Sequence, residues 1–227
     1  MTYNKEELRE VFKNAPLKIG NDFYEDLNDD LFDSLNCASG DYYYSHGASK
    51  LAIISVNGDY VIKIPYTGEL SEDIWYPTEE EFQEFFDPYC NAGGDCPWDY
   101  CALEVERYEY AKQFGFEKYL AKIELLGYLN GYPIYIQEKC ETYYDSVRSK
   151  HYTEEEKKTT RSICGLGKFD YLTNENWLTD FRFYYGNQAL TDFSNFLTKN
   201  GWDDLNDSNI GYLNNRPIIF DFSGFEG

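Results

Sequence analysis

Residues 202–209 read Trp202-Asp203-Asp204-Leu205-Asn206-Asp207-Ser208-Asn209, and residues 218–224 read Ile218-Ile219-Phe220-Asp221-Phe222-Ser223-Gly224. Between them, strand-like runs Ile210–Leu213 and Pro217–Asp221 flank Asn214-Asn215. Asn tolerates the positive φ of a tight hairpin turn, so a two-residue turn is expected at that pair. Such a turn sets Asn209 opposite Phe220 and Ser208 opposite Asp221. A slightly longer loop pairs Asn209 with Asp221 directly. Either way an amide and a carboxylate emerge at the open end of one hairpin. Two hard oxygen donors there suit Mg²⁺, which takes one or two carboxylates and fills its shell with water and phosphates. Asp204 sits five residues before Asn209, on the loop after a helix pattern. It can reach the same place without ligating the metal, as a base or hydroxyl-orienting group would.

A second hairpin supplies the complement. Leu51–Val56 and Tyr60–Pro65 are apolar and β-branched, with Asn57-Gly58 between them. Asn-Gly is the strongest short-range hairpin signal, and this turn sets Lys63 opposite Ala52. Gly47-Ala48-Ser49-Lys50 then enters the first strand near the open end, a small-residue loop able to cover phosphates. Ile62 and Ile64 flank Lys63, so its stem is expected to be buried, and a buried Lys needs a carboxylate. Glu104 on the following helix is the candidate, with Glu106 in reserve. A third pair of strands, Tyr119–Leu129 and Tyr132–Glu138, is joined by Asn130-Gly131.

Helix signals fill the remainder. Asn4 with Glu7 caps a helix near 5–14, and Thr78 with Glu81 caps a short one near 79–87. Asp99 caps Tyr100–Phe114, with Gly115 as the stop. Thr153 with Glu156 opens a helix near 154–163. Asn174 caps Glu175–Phe183. Asn187–Asn200 carries Leu190, Phe193, Phe196 and Leu197 on one face and ends at Gly201. Strands with one inserted helix, then helices, then a last hairpin give an α+β chain.

Composition restricts what such a chain can do. It has 227 residues and a formal net charge of −21. With 23 Tyr, 16 Phe and 4 Trp it has ample material for a core, which excludes an acidic disordered chain. No apolar run approaches the ~18–20 residues of a membrane span, and the N-terminus shows no basic start followed by an apolar stretch. Neither a membrane nor direct nucleic-acid binding is expected, since phosphates are held by Lys and Arg. A basic protein partner suits the charge better. Cys37, Cys90, Cys96, Cys101, Cys140 and Cys164 are expected to be reduced in a cytoplasmic setting. Cys90, Cys96 and Cys101 form no C-x-x-C pair. The two histidines, His46 and His151, lie away from them, which argues against zinc and against a histidine triad. The stretch Thr67–Trp98 has no Lys or Arg and reads as an acidic insertion.

Taken together, these segments resemble the protein kinase superfamily. Val61-Ile62-Lys63-Ile64 is similar to its strand-lysine motif and Glu104 to its helix glutamate. Asp204 to Asn209 is similar to the catalytic loop, and Phe220-Asp221-Phe222-Ser223-Gly224 to the metal-binding Asp-Phe-Gly segment, in order across about 40–224. The flavour is that of compact kinase-like proteins encoded by phages and prophages. The resemblance implies a two-lobed fold. Residues 1–137 would form a β-rich antiparallel lobe with the insertion at 67–98, and 138–227 a truncated helical lobe carrying the catalytic-loop hairpin. It implies ATP and Mg²⁺ as cofactors. Lys63 would hold the α/β-phosphates, Gly47 and Ser49 would cover them, and Glu138 and Cys140 would hold adenine through their backbone. Asn209 and Asp221 would ligate the metal, and Asp204 would orient the attacking hydroxyl of a protein or small molecule.

The pattern also departs from that family. Only Gly47 remains of the glycine-rich loop. Trp202-Asp203 stand for His-Arg, Asn206 for the catalytic-loop Lys, and Ser223 for Gly. Only three residues follow Gly224, so no activation segment is expected. These departures and the acidic insertion suit an alternative, a non-catalytic protein on a kinase scaffold. A phage-encoded chain of that kind would act in the host cytoplasm, binding a basic host surface with carboxylates in place of phosphates.

Overall fold

The computed structural model of the chain describes Glu6 and residues 42–46, 50–56, 58–65, 99–129, 132–144, 146, 152–164, 174–202 and 206–222. The fold is α+β with antiparallel sheets. It divides into two compact units, one of Met1–Val105 and Ile123–Glu138, the other of Glu106–Lys122 and Lys139–Gly227. Helix α1, Tyr100–Gln113, contributes residues to both. The expected acidic insertion at 67–98, the helix near 79–87 and, apart from helical Glu6, the helix near 5–14 lie outside the described residues.

The first unit is a five-stranded sheet ordered β1-β2-β3-β5-β4. Its strands are β1 Tyr42–His46, β2 Lys50–Ser55, β3 Tyr60–Pro65, β4 Ile123–Leu129 and β5 Tyr132–Glu138. The register expected from Asn57-Gly58 is the one found, with Ala52 opposite Lys63. Alternation then sorts the side chains. Leu51, Ile53, Ile62, Ile64, Ile134 and Ile136 share one buried face. Lys50, Lys63, Tyr135 and Gln137 share the other. β4 and β5 pair as expected near their connection, then shift register between Leu125 and Gly127. β1 was not among the expected strands.

In the second unit, α2 Glu154–Cys164, α3 Glu175–Tyr185 and α4 Asn187–Lys199 pack on one another. A three-stranded sheet, β6 Glu141–Thr142, β7 Ile210–Leu213 and β8 Arg216–Ile219, has the order β6-β7-β8. The capping signals act where the sequence put them. The Thr153 hydroxyl and amide both reach Glu156 Oε2 at 2.8 Å, and Asn174 Oδ1 accepts from the Trp177 amide at 2.9 Å. Leu190, Phe193, Phe196 and Leu197 are buried along α4, where Phe181 stacks on Phe193 at 5.7 Å. The turn residues Asn214 and Asn215 both have positive φ, 50° and 71°. β6, also unforeseen, is possible because residue 211 is Gly. A Cβ there would lie 2.1 Å from the Glu141 carbonyl oxygen.

One expected strand is too long. Glu117–Tyr119 is a 3₁₀ turn rather than the start of the strand before Asn130-Gly131. The Tyr119 ring lies in the aromatic core, 4.9 Å from Phe181 and 4.8 Å from Phe193.

Candidate functional site

The first unit buries a charged cluster on the polar face of its sheet. Asp99 caps α1, its Oδ1 accepting from the Ala102 amide at 2.8 Å, while Tyr135 donates its hydroxyl to Oδ2. One turn further, Glu104 is fully buried, at 0 % exposure. Lys63 Nζ donates to Glu104 Oε2 at 2.8 Å, and Lys50 Nζ donates to Oε1. Gln137 Nε2 also reaches Oε2, at 3.3 Å. Lys50 and Lys63 are only 6 % and 4 % exposed. An ammonium this dehydrated is held only by strong partners, and here both oxygens of one carboxylate serve. Cys101 lies in the same surroundings. Burial raises its thiol pKa well above the ordinary value, opposed by the Lys50 charge, so it stays protonated.

The expected pairing of Lys63 with Glu104 is therefore made, and the reserve Glu106 is exposed instead. Gly47, Ser49 and Asp204 lie outside the described residues. Glu138 ends β5 opposite Tyr60, and Cys140, a half-buried thiol, follows two residues later. Lys50 and Gln137 belong to the cluster but were not expected as partners of Glu104. The signal for Lys50 was present, since it stands two residues before Ala52 and so on the face of Lys63.

In the second unit, the last hairpin brings Asn209 and Asp221 side by side. The Phe220 and Asp221 amides both donate to the Asn209 carbonyl, at 2.9 and 3.3 Å. Asn209 is buried and Asp221 half-buried. Ser208 donates its hydroxyl to Asn206 Oδ1, and its Oγ also lies 3.2 Å from Asn209 Oδ1. Arg107 steadies both flanks of this hairpin. Its guanidinium donates to the Phe222 carbonyl at 2.7 Å and lies over the Trp202 ring, 5.2 Å from the centroid. Nothing in the sequence pointed to Arg107. An amide oxygen and a carboxylate are hard oxygen donors of the type Mg²⁺ prefers. Among the described residues, no group of three or more His, Cys, Asp or Glu could hold a metal by itself.

The second unit also buries Asp180. It accepts from Tyr152 through Oδ1 and from Tyr212 through Oδ2 at 2.6 Å, joining the start of α2, α3 and β7. Burial first, then the hydrogen bond to Asp180, raises the pKa of both phenols far above the ordinary value.

Comparison with family models, curated proteins and solved structures gives no match to this chain. Among the described residues no helix is long and apolar enough to cross a membrane.

Proposed function

We propose that the chain is a kinase-like, Mg-ATP-binding phosphotransferase with a two-lobed kinase-like fold, acting on a hydroxyl group. The observation that carries this reading is the buried bond between Lys63, on the third strand of an antiparallel sheet, and Glu104, on the helix inserted before the fourth. A carboxylate that orients a strand lysine prepares its ammonium for phosphate oxygens. The Asn209–Asp221 pair adds the hard oxygens that Mg²⁺ requires. A bound magnesium ion would neutralise phosphate charge, which a chain of net charge −21 cannot do with its own field. Asp204 would orient the acceptor hydroxyl for in-line attack, a positioning role needing little covalent chemistry from the protein.

Thermal unfolding with and without Mg-ATP tests the reading. Millimolar Mg-ATP is expected to raise the melting temperature of the wild-type chain, and Asp221→Asn is expected to abolish that rise. An unchanged wild-type melting temperature would overturn the reading.

A further inference from the structure

We propose that the exposed aromatic edge at the end of α1, built on Tyr110 and Phe114, is a docking surface for a basic protein segment that presents arginine. The inference is independent of the nucleotide reading. Tyr110 is 38 % exposed and Phe114 54 %, and their rings meet edge to face at 5.1 Å. Both are rooted in the core of the second unit. Tyr110 stacks on the buried Phe196 ring at 5.8 Å, and Phe114 lies 5.7 Å from it. Phe196 in turn meets the buried Trp202 ring edge to face at 5.1 Å. Rings fixed from beneath and wet on top are suited to anchor a partner, because little side-chain freedom is left to lose on binding.

Charge selects the occupant. A second copy would bring another net charge of −21, and like net charge opposes association. Glu106 stands one turn before Tyr110, and both it and Glu109 are exposed. Lys112, the exposed cation of this stretch, already lies 2.9 Å from Glu109. The exposed Lys199 is in the last turn of α4, where it complements the carbonyl end of that helix. The same aromatic cluster already accepts a guanidinium, since Arg107 lies over the Trp202 ring, 5.2 Å from its centroid. Arginine lays a flat cation on a ring and offers a fork to a carboxylate, which the compact ammonium of lysine does less well. An arginine of the partner seated on Tyr110 would have Glu106 one helical turn away for that fork.

Fluorescence anisotropy on the full chain tests this, with a labelled peptide of Arg-Gly repeats and its Lys-Gly counterpart as probes. The arginine peptide is expected to bind more tightly than the lysine peptide. Phe114→Ala and Tyr110→Ala change no charge, and each is expected to weaken arginine-peptide binding by about tenfold. Glu106→Gln should weaken it by about threefold and reduce its salt dependence. Phe183→Ala removes another exposed ring, 56 % exposed on α3, and should leave binding unchanged. Wild-type affinity in Phe114→Ala, or an equal loss in Phe183→Ala, would assign binding to the acidic surface at large and overturn the proposal. So would no binding of the arginine peptide. A wild-type dimer that Phe114→Ala abolishes would give the face to a second copy, which also overturns it. If Phe114→Ala does not fold, a photo-cross-linking form of the arginine peptide on wild type decides. Cross-links within 106–114 support the proposal, and cross-links only elsewhere sink it.

Discussion

Glu104 in the first unit and Asp180 in the second are both buried carboxylates, yet they are held by opposite chemistry. Two ammonium groups and an amide converge on Glu104. Two phenols converge on Asp180. Ammonium partners carry a full charge of opposite sign to the carboxylate. Phenol partners are neutral donors whose own ionisation is suppressed by burial and by the carboxylate. That arrangement ties three segments together. Burial of an acid is thus a poor guide to function by itself, and the partners decide what it can do.

The contrast breaks most visibly at the carboxylates. Glu104→Gln leaves two buried ammonium groups facing an amide, and removing one side of a buried ion pair costs about 3–5 kcal/mol. Asp180→Asn keeps an acceptor for one phenol and loses a charge-assisted bond, about 1–3 kcal/mol. Urea unfolding of both variants checks the order. A larger loss at Asp180 than at Glu104 would mean that the phenol-held acid is the more dependent on its charge.

The first cluster was legible in the sequence where a local rule fixed a long-range pair. Asn57-Gly58 set the register that carries Lys63, and Asp99 set the start of the helix that carries Glu104. Asn214-Asn215 did the same for Asn209 and Asp221. Lys50 was missed because the strand was read as starting at Leu51, one residue late, which left the lysine in the loop. β1 is rich in Tyr, a good strand former, but no Asn-Gly turn marked its pairing with β2. The second cluster had no such signal. Tyr152, Asp180 and Tyr212 come from a helix approach, a helix and a strand, and no spacing rule joins them. Arg107 is equally silent, because its partners are a backbone carbonyl and a ring 95 or more residues away. The two-residue β6 is too short to show a period.

Alkaline pH should separate the two clusters through the phenols. Tyr212 is raised by burial and then by Asp180, and Tyr185 is raised by burial from 10.0 to about 12. A raised phenol favours the folded state while it keeps its proton. Its contribution is fully present below pH 10 and falls as pH rises further, because the unfolded chain releases the proton first. Stability is therefore expected to decline above about pH 10, the ordinary tyrosine value. Tyr212→Phe should be less stable than wild type at neutral pH, by about 1–3 kcal/mol for the lost bond to Asp180. It should also decline less steeply on the alkaline side. Unfolding curves from pH 8 upward measure both, and parallel alkaline slopes would remove Tyr212 as a source of the decline.

A third carboxylate, Glu156, marks the exposed limit of the comparison. It accepts from the Thr153 amide and hydroxyl, which lower its pKa below the ordinary 4.5, the amide bond contributing first. The sign is opposite to that of the phenols. A lowered carboxylate stabilises the fold above its ordinary pKa, and the contribution disappears as pH falls through the folded value. Thr153→Ala removes the hydroxyl, which also accepts from the Glu156 amide at 3.3 Å, but leaves the Thr153 backbone donor. It should therefore cost the least of these substitutions. The stability gap to wild type should narrow in acid, where a protonated Glu156 no longer gains from either donor. Glu156→Gln should remove more of the pH dependence than Thr153→Ala, because it abolishes the charge that both donors serve. Unfolding of the two variants at neutral and acid pH decides it. A gap for Thr153→Ala that stays constant across that range would assign the effect to the helix cap alone, without the carboxylate.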